Sequence, residues 1–179
     1  KAGIGGSDAA AVLGLNPYTS PLDLYNDKLG LTPSKDLSAN DAVYWGNVLE
    51  DVVAKEYARR TGSKVRVRNQ QFQHKDHSFM LANIDRSVDG QRRILECKTA
   101  GAYAAKPDQW GQGNVYSNDG VLVKADDKVP ESYLIQCVHY MAVLDYDVAD
   151  LAVLIGGRDF RIYTIQRDLE LENMLIQKE

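Results

Sequence analysis

Two acids and a lysine, Asp85, Glu96 and Lys98, have the types and spacing needed for metal-assisted hydrolysis. They lie in the run from Asn83 to Lys98, where Asp89-Gly90 separates two β-rich stretches. Asp-Gly in that setting signals a two-residue hairpin loop. If Val88 faces Gln91, counting back sets Asp85 opposite Ile94, with Glu96 diagonally across on the same face. Diagonal Cβ atoms in such a pair are roughly 7–8 Å apart or a little less, close enough for one cation to bridge two carboxylates. Lys98, two residues beyond Glu96, shares that face. A one-residue change in the loop would reverse the relation.

Two carboxylates held this close repel each other unless protonated or bridged. A hard divalent ion relieves the repulsion, and magnesium typically takes one or two carboxylates together with waters and substrate phosphate. One or two magnesium ions are therefore expected, with manganese as the substitute. The Cys97 carbonyl would supply a further ligand. Lys98 would orient a water or stabilise charge building on a phosphate. The same residues also suit a polar strand carrying a surface Glu96–Lys98 ion pair, and the pattern alone leaves both readings open.

The elements that must hold these residues are legible from periodicity and punctuation. Ala9 to Leu13 is a small-residue helix with Ser7 or Asp8 as its natural N-cap, broken by Asn16-Pro17. A second helix covers Pro21 to Leu29, ahead of Gly30. The longest helix covers Asp41 to Arg60 and closes at Gly62, with Trp45, Leu49, Val52, Val53 and Tyr57 as its apolar stripe. Strands are expected over Lys64 to Arg68, Gln70 to Gln73, Phe79 to Val88 and Arg92 to Thr99. From Gly101 to Val129 the patterning is poor, as in a functional surface segment. A helix follows from Pro130 to about Leu144, then a hairpin of Val148 to Ile155 and Phe160 to Gln166 over Gly156-Gly157, then a closing helix. The sum is an α+β fold with a mixed, mostly antiparallel sheet flanked by helices.

Bulk properties set limits. The 179 residues, 44% hydrophobic and 26% charged, suit one soluble domain, residues 1–179. No apolar run is long enough to span a membrane, and no signal-peptide pattern opens the chain. The sequence begins at Lys1 rather than methionine, so native residues are expected before it. Two cysteines, Cys97 and Cys137, form no CxxC pair, which argues against zinc or iron–sulfur and for reduced thiols in the cytoplasm. The net charge of −4 argues against a generic nucleic-acid coat protein but not against a local basic surface. Lys55, Arg59, Arg60, Lys64, Arg66, Arg68, Arg86, Arg92 and Arg93 could form one, or could be solvated ends of helix and strand. His74 and His77 read as solvated turn residues.

Asp85…Glu96-Cys97-Lys98 resembles the core of the PD-(D/E)xK nucleases. Further pieces narrow the likeness: Gly3-Ile4-Gly5-Gly6-Ser7-Asp8, Leu13-Gly14-Leu15-Asn16-Pro17-Tyr18 and Trp45-Gly46-Asn47-Val48-Leu49-Glu50. Gln109-Trp110-Gly111 and Pro130…Tyr133…Gln136…His139-Tyr140-Met141 follow in order. Together they resemble the YqaJ-type viral recombinases, relatives of the lambda exonuclease. The resemblance implies a restriction-endonuclease-like core and a magnesium-dependent exonuclease. It implies 5′→3′ digestion of linear double-stranded DNA, leaving 3′ single strands for recombination in a bacterial host. A homotrimeric ring and a single-strand annealing partner are implied as well.

Carried over residue by residue, Asp85, Glu96, the Cys97 carbonyl and Glu50 would be metal ligands, with Lys98 the catalytic lysine. Gln136 would stand beside the nucleophile and Tyr140, one turn on, beside DNA. Gly6 and Ser7, in a loop feeding a helix N-terminus, would cradle a terminal phosphate. Trp110 suits core packing, while the family pattern sets its segment along the DNA path. The family also expects an arginine just upstream of the glycine-rich start, where this sequence begins with Lys1. Two rival readings remain: a structure-specific endonuclease on the same core, and an inactive DNA-binding module.

Overall fold

The computed structural model describes residues 3–33, 40–103 and 106–179. Its centre is a five-stranded sheet in the order β1-β4-β5-β8-β9. The strands are β1 (Val65–Val67), β4 (Arg86–Val88), β5 (Arg93–Ala100), β8 (Val148–Ile155) and β9 (Asp159–Gln166). Every pair is antiparallel except β5 with β8, where Arg93 to Ala100 run parallel to Val148 to Ile155. A parallel pair needs a long crossover. Here it carries a small hairpin, β6 (Val115–Tyr116) with β7 (Leu122–Lys124), and the helix α4 (Glu131–Leu144).

Period-two alternation divides the sheet into two faces. Ile94 of β5, Leu151 and Val153 of β8 and Tyr163 of β9 pack with α4, α1 (Gly6–Val12) and α5 (Leu169–Lys178). Leu95 and Cys97, with Ala152 and Ile162, pack instead on Val53, Ala54 and Tyr57 of α3 (Asp41–Thr61). Successive residues of β5 are thus committed to opposite layers. Glu96 and Lys98 fall on the α4 side.

The α3 side has a polar anchor that the sequence pattern did not reveal. Asp150, 2% exposed, accepts from Tyr57 Oη at 2.5 Å, from Thr164 Oγ1 at 2.8 Å and from Arg93 Nη1 through both oxygens. One buried carboxylate therefore joins α3, β5, β8 and β9. Burial and the Asp150 charge push the Tyr57 phenol well above its ordinary value, so it remains a donor.

The expected elements are present with instructive differences. The segment expected as one strand from Phe79 to Val88 splits into β3 (Leu81–Ala82) and β4. β3 pairs with β2 (Phe72–Gln73) in a separate small sheet. The first helix is capped by Gly5, not by Ser7 or Asp8. Asp8 lies inside the helix and its carboxylate accepts from Gly5 N–H at 2.8 Å. The second helix, α2 (Pro21–Lys28), is capped by Ser20. In α3 the expected stripe holds only toward the C-terminal half: Val53 and Tyr57 are buried, whereas Trp45 and Val52 are about half exposed. Gly62 closes that helix in the left-handed region, at φ 68°. The poorly patterned stretch before α4 proves to contain the β6–β7 hairpin. No helix among the described residues is long and apolar enough to cross a membrane.

Candidate active site

The β4–β5 hairpin differs from the expected register in a way that improves the site. Arg86 pairs with Leu95 and Ser87 with Ile94, so the loop is longer than Asp89-Gly90 alone. The slip is two residues, and an even slip keeps every side chain on its face. Continued by one residue, the register sets Asp85 directly opposite Glu96 rather than Ile94. Cβ atoms of directly opposed residues are about 4.5–5.5 Å apart.

Asp85 lies just before β4 begins, and its Oδ2 accepts from the Cys97 N–H at 2.8 Å. A side chain thus takes the ladder position that a continued β4 would have filled. N–H and C=O of one strand residue point to the same edge, so the Cys97 carbonyl faces that opening too.

The opposite flank is built by α4. Glu96, 2% exposed, accepts at Oε1 from Lys98 Nζ at 2.6 Å and from Gln136 Nε2 at 2.9 Å. The second Gln136 Nε2 hydrogen goes to Tyr140 Oη at 3.0 Å. The Lys98 ammonium also lies 5.1 Å from the centre of the Tyr133 ring, three residues before Gln136 on the same helix. Glu96 Oε2 is buried and has no hydrogen-bond partner among the described residues. A bare carboxylate oxygen in the interior is costly unless a cation or a proton compensates it.

The electrostatics agree with that geometry. Burial, and then the neighbouring Glu96 charge, push the Asp85 carboxyl up to about 7, against partial relief from the Cys97 N–H. Burial works against the Lys98 ammonium, but the Glu96 carboxylate outweighs it and the net shift is upward. Lys98 therefore stays charged at neutral pH. Burial raises the thiol of Cys97, which turns toward α3 and takes no part in the carboxylate cluster.

Two opposed carboxylates, one bare buried oxygen and a backbone carbonyl on the same edge fit a hard divalent cation that keeps several of its waters. Among the described residues, no group of three or more His, Cys, Asp or Glu side chains converges as a complete ligand set. The reason lies with Glu50, the acid expected to complete the site. Its Oε1 accepts from Arg86 Nη1 at 2.5 Å, and Arg86 also donates to the Asp85 carbonyl at 2.8 Å. Glu50 is near enough to help raise the Asp85 carboxyl, yet it is turned to a guanidinium. Arg86 was expected only as part of a basic surface. Its position directly after Asp85, on the opposite face of the strand, was the available signal.

The residues expected to touch DNA separate into different environments. Ser7 is exposed on the first turn of α1. Gly6 is buried beneath the Tyr140 ring. That helix start is also occupied by the Asp8 carboxylate, itself paired with Lys28 at 2.5 Å. Trp110, 3% exposed, packs against Tyr133 and Tyr163, so its indole belongs to the core. Lys1 lies outside the described residues.

The expected basic surface is largely neutralised. Lys55 pairs with Asp51, Arg59 and Arg60 with Glu56, Arg66 with Asp89, Arg92 with Asp145 and Asp147, and Arg93 with Asp150. A cleft of about 450 Å³ opens beside the first turn of α4, lined by Leu15, Pro17, Gln109, Lys128, Pro130 and Ser132. It adjoins the site through the helix that carries Gln136 and does not include the carboxylates.

Comparison with known proteins agrees with this architecture. Residues 1–147 match the model of the YqaJ-like viral recombinase domain. The chain is 42% identical over 181 residues to the protein YqaJ of Bacillus subtilis (strain 168), covering all of this chain and 51% of that protein. It therefore spans about half the length of that relative. Among solved structures it resembles an alkaline exonuclease, LHK-Exo, from Laribacter hongkongensis, with a TM-score of 0.69 at 17% identity over 99% of this chain and 84% of that one. A phage-related exonuclease from Haemophilus somnus 129PT gives a TM-score of 0.67 at 16% identity, covering 98% and 89%. The shared fold is the restriction-endonuclease-like one, and the chain belongs to the YqaJ-like viral recombinase family.

Proposed function

We propose that this chain is a magnesium-dependent exonuclease that hydrolyses phosphodiester bonds at the ends of linear double-stranded DNA. The observation that carries the reading is the buried, bare Glu96 Oε2, in a residue that the hairpin register, continued by one step, sets opposite Asp85. Family membership and the likeness to exonuclease folds support it. Magnesium, or manganese in its place, would be held by Asp85, Glu96 and the Cys97 carbonyl. It would supply Lewis-acid stabilisation of the phosphate oxygens.

The chain's own groups do the remaining work. Lys98 stays protonated beside Glu96 and donates to the phosphate oxygen on which charge builds. Gln136 holds Glu96 Oε1 through its amide nitrogen, leaving its carbonyl oxygen to orient the attacking water. Tyr140 holds Gln136 in that orientation. Glu50 joins the site once it leaves Arg86.

In this reading digestion runs 5′→3′ and leaves 3′ single strands for a single-strand annealing protein in the bacterial cytoplasm. A homotrimeric ring would reconcile an acidic chain with DNA binding, since only its channel need be positive.

The test incubates linear duplexes, with and without a 5′-phosphate, and closed circular duplex with wild type and Lys98→Ala. Each runs in magnesium and in EDTA. Wild type should degrade only linear DNA, only in magnesium, and Lys98→Ala should be slower by about 100-fold or more. Activity that survives chelation, or a fully active Lys98→Ala, rejects the mechanism. Cleavage of the closed circle makes the chain an endonuclease. No activity on any substrate makes it a DNA-binding module.

A further inference from the structure

We propose that Gly6 is a positioning residue for the catalytic carboxylate, acting through Tyr140 and Gln136. The inference rests on the nuclease reading above. The backbone of Gly6 is not in the left-handed region, so nothing in its conformation demands glycine. Space does. A Cβ at Gly6 would fall 2.3 Å from Tyr140 Cε1, 2.7 Å from Cζ and 2.9 Å from Cδ1. Gly6, Ala9 and Ala10 form the small buried face of α1, and Tyr140 lies in the cluster that Ala9 and Ala10 help to form. Tyr140 is 5% exposed, so its ring moves only against packed neighbours.

The far end of the ring is where the consequence appears. Tyr140 Oη accepts one hydrogen of Gln136 Nε2 at 3.0 Å, and the other goes to Glu96 Oε1 at 2.9 Å. Both amide hydrogens are committed, so the phenol oxygen fixes the amide and the amide fixes the carboxylate. Relieving a 2.3 Å contact requires a shift of about 1 Å, and a 3.0 Å hydrogen bond does not survive that stretch. Gln136 then turns, and Glu96 Oε1 is left with Lys98 as its sole donor. The glycine of the first helix thereby sets the direction of Glu96 Oε2.

The test is a double-mutant cycle of Gly6→Ala and Tyr140→Phe. It reads kcat and KM on a 5′-phosphorylated linear duplex, and separately the rise in Tm on adding magnesium chloride to DNA-free protein. Tyr140→Phe keeps the packing and removes only the acceptor. Expected for each single variant is a kcat lower by about tenfold, KM within twofold and a smaller magnesium-induced rise in Tm. In the Tyr140→Phe background, Gly6→Ala should cost less than twofold more.

Additive losses, or a raised KM with intact kcat, overturn the proposal, the latter by showing that Gly6 serves DNA binding. Should Gly6→Ala not fold, Gly6→Ala/Tyr140→Leu removes the clashing ring atoms and must restore folding. In that case Tyr140→Phe alone must show the kcat loss and weakened magnesium response, and failure of either rejects the idea. An inactive wild type refutes the nuclease reading, while the coupling is still read in the magnesium-induced Tm shift.

Discussion

Replacing Asp85 by asparagine should stabilise the metal-free protein while abolishing its activity, and the gain should grow with pH. Asparagine retains an oxygen for the Cys97 N–H bond that Asp85 makes at 2.8 Å, so the local geometry has a donor–acceptor pair in both proteins. What disappears is the charge. The Asp85 carboxyl sits at about 7 in the fold against 3.8 for the free side chain, raised by burial and then by Glu96. A raised folded value means the folded state holds its proton more tightly than the unfolded chain. The cost is therefore absent below about pH 3.8, grows between 3.8 and 7 and is complete above 7. A shift of about three units corresponds to up to about 4 kcal/mol at pH 8. Urea unfolding of both proteins in EDTA, at pH 4 and pH 8, measures this, because titrating groups away from the Asp85–Glu96 pair are shared and cancel in the difference. The variant should match wild type at pH 4 and exceed it by up to about 4 kcal/mol at pH 8. Magnesium should then stabilise wild type at pH 8 and leave the variant unmoved. A difference that is flat with pH, or an asparagine variant less stable at pH 8, refutes the account of two acids in enforced proximity.

Three further outcomes follow from burial and pairing. Arg93→Met should destabilise by about 3–5 kcal/mol in chemical unfolding, because Asp150 would stay buried without its cation. Trp110→Ala should cost about 3–5 kcal/mol of stability and leave KM for DNA unchanged in the folded fraction, since its indole packs on Tyr133 and Tyr163. Gly62→Ala should lower stability by about 1 kcal/mol without altering kcat, because φ is 68° there and a Cβ meets no described residue within 4 Å.

The parts of this fold that local chemistry dictates were readable from the residues alone. Pro21 and Gly62 mark helix ends because one fixes φ and the other tolerates a positive φ, and both act where they stand. The hairpin of β8 and β9 over Gly156-Gly157 follows the same logic. The faces of Asp85, Glu96 and Lys98 were legible because parity survives an even register slip. The slip itself was not, since an Asp-Gly turn also sits comfortably inside a longer loop. Nor could periodicity show that Glu50 would meet Arg86, or that Asp150 would gather Tyr57, Arg93 and Thr164. Those contacts join residues far apart in sequence and depend on which strands become neighbours. Periodicity likewise did not show that Trp45 would stand exposed outside its stripe.

The parallel pairing of β5 with β8 has a kinetic corollary. Arg93 must find Val148 across the whole crossover before the ladder starts, and closing so large a loop is slow compared with zipping a hairpin. The β4–β5 and β8–β9 hairpins can each form early from neighbouring residues. Gln136 arrives on the crossover helix, so Glu96 gains its amide partner only when the two hairpins dock. Docking of the two hairpins brings the repelling acids into a dry interior, and divalent ions present during refolding should hasten that step.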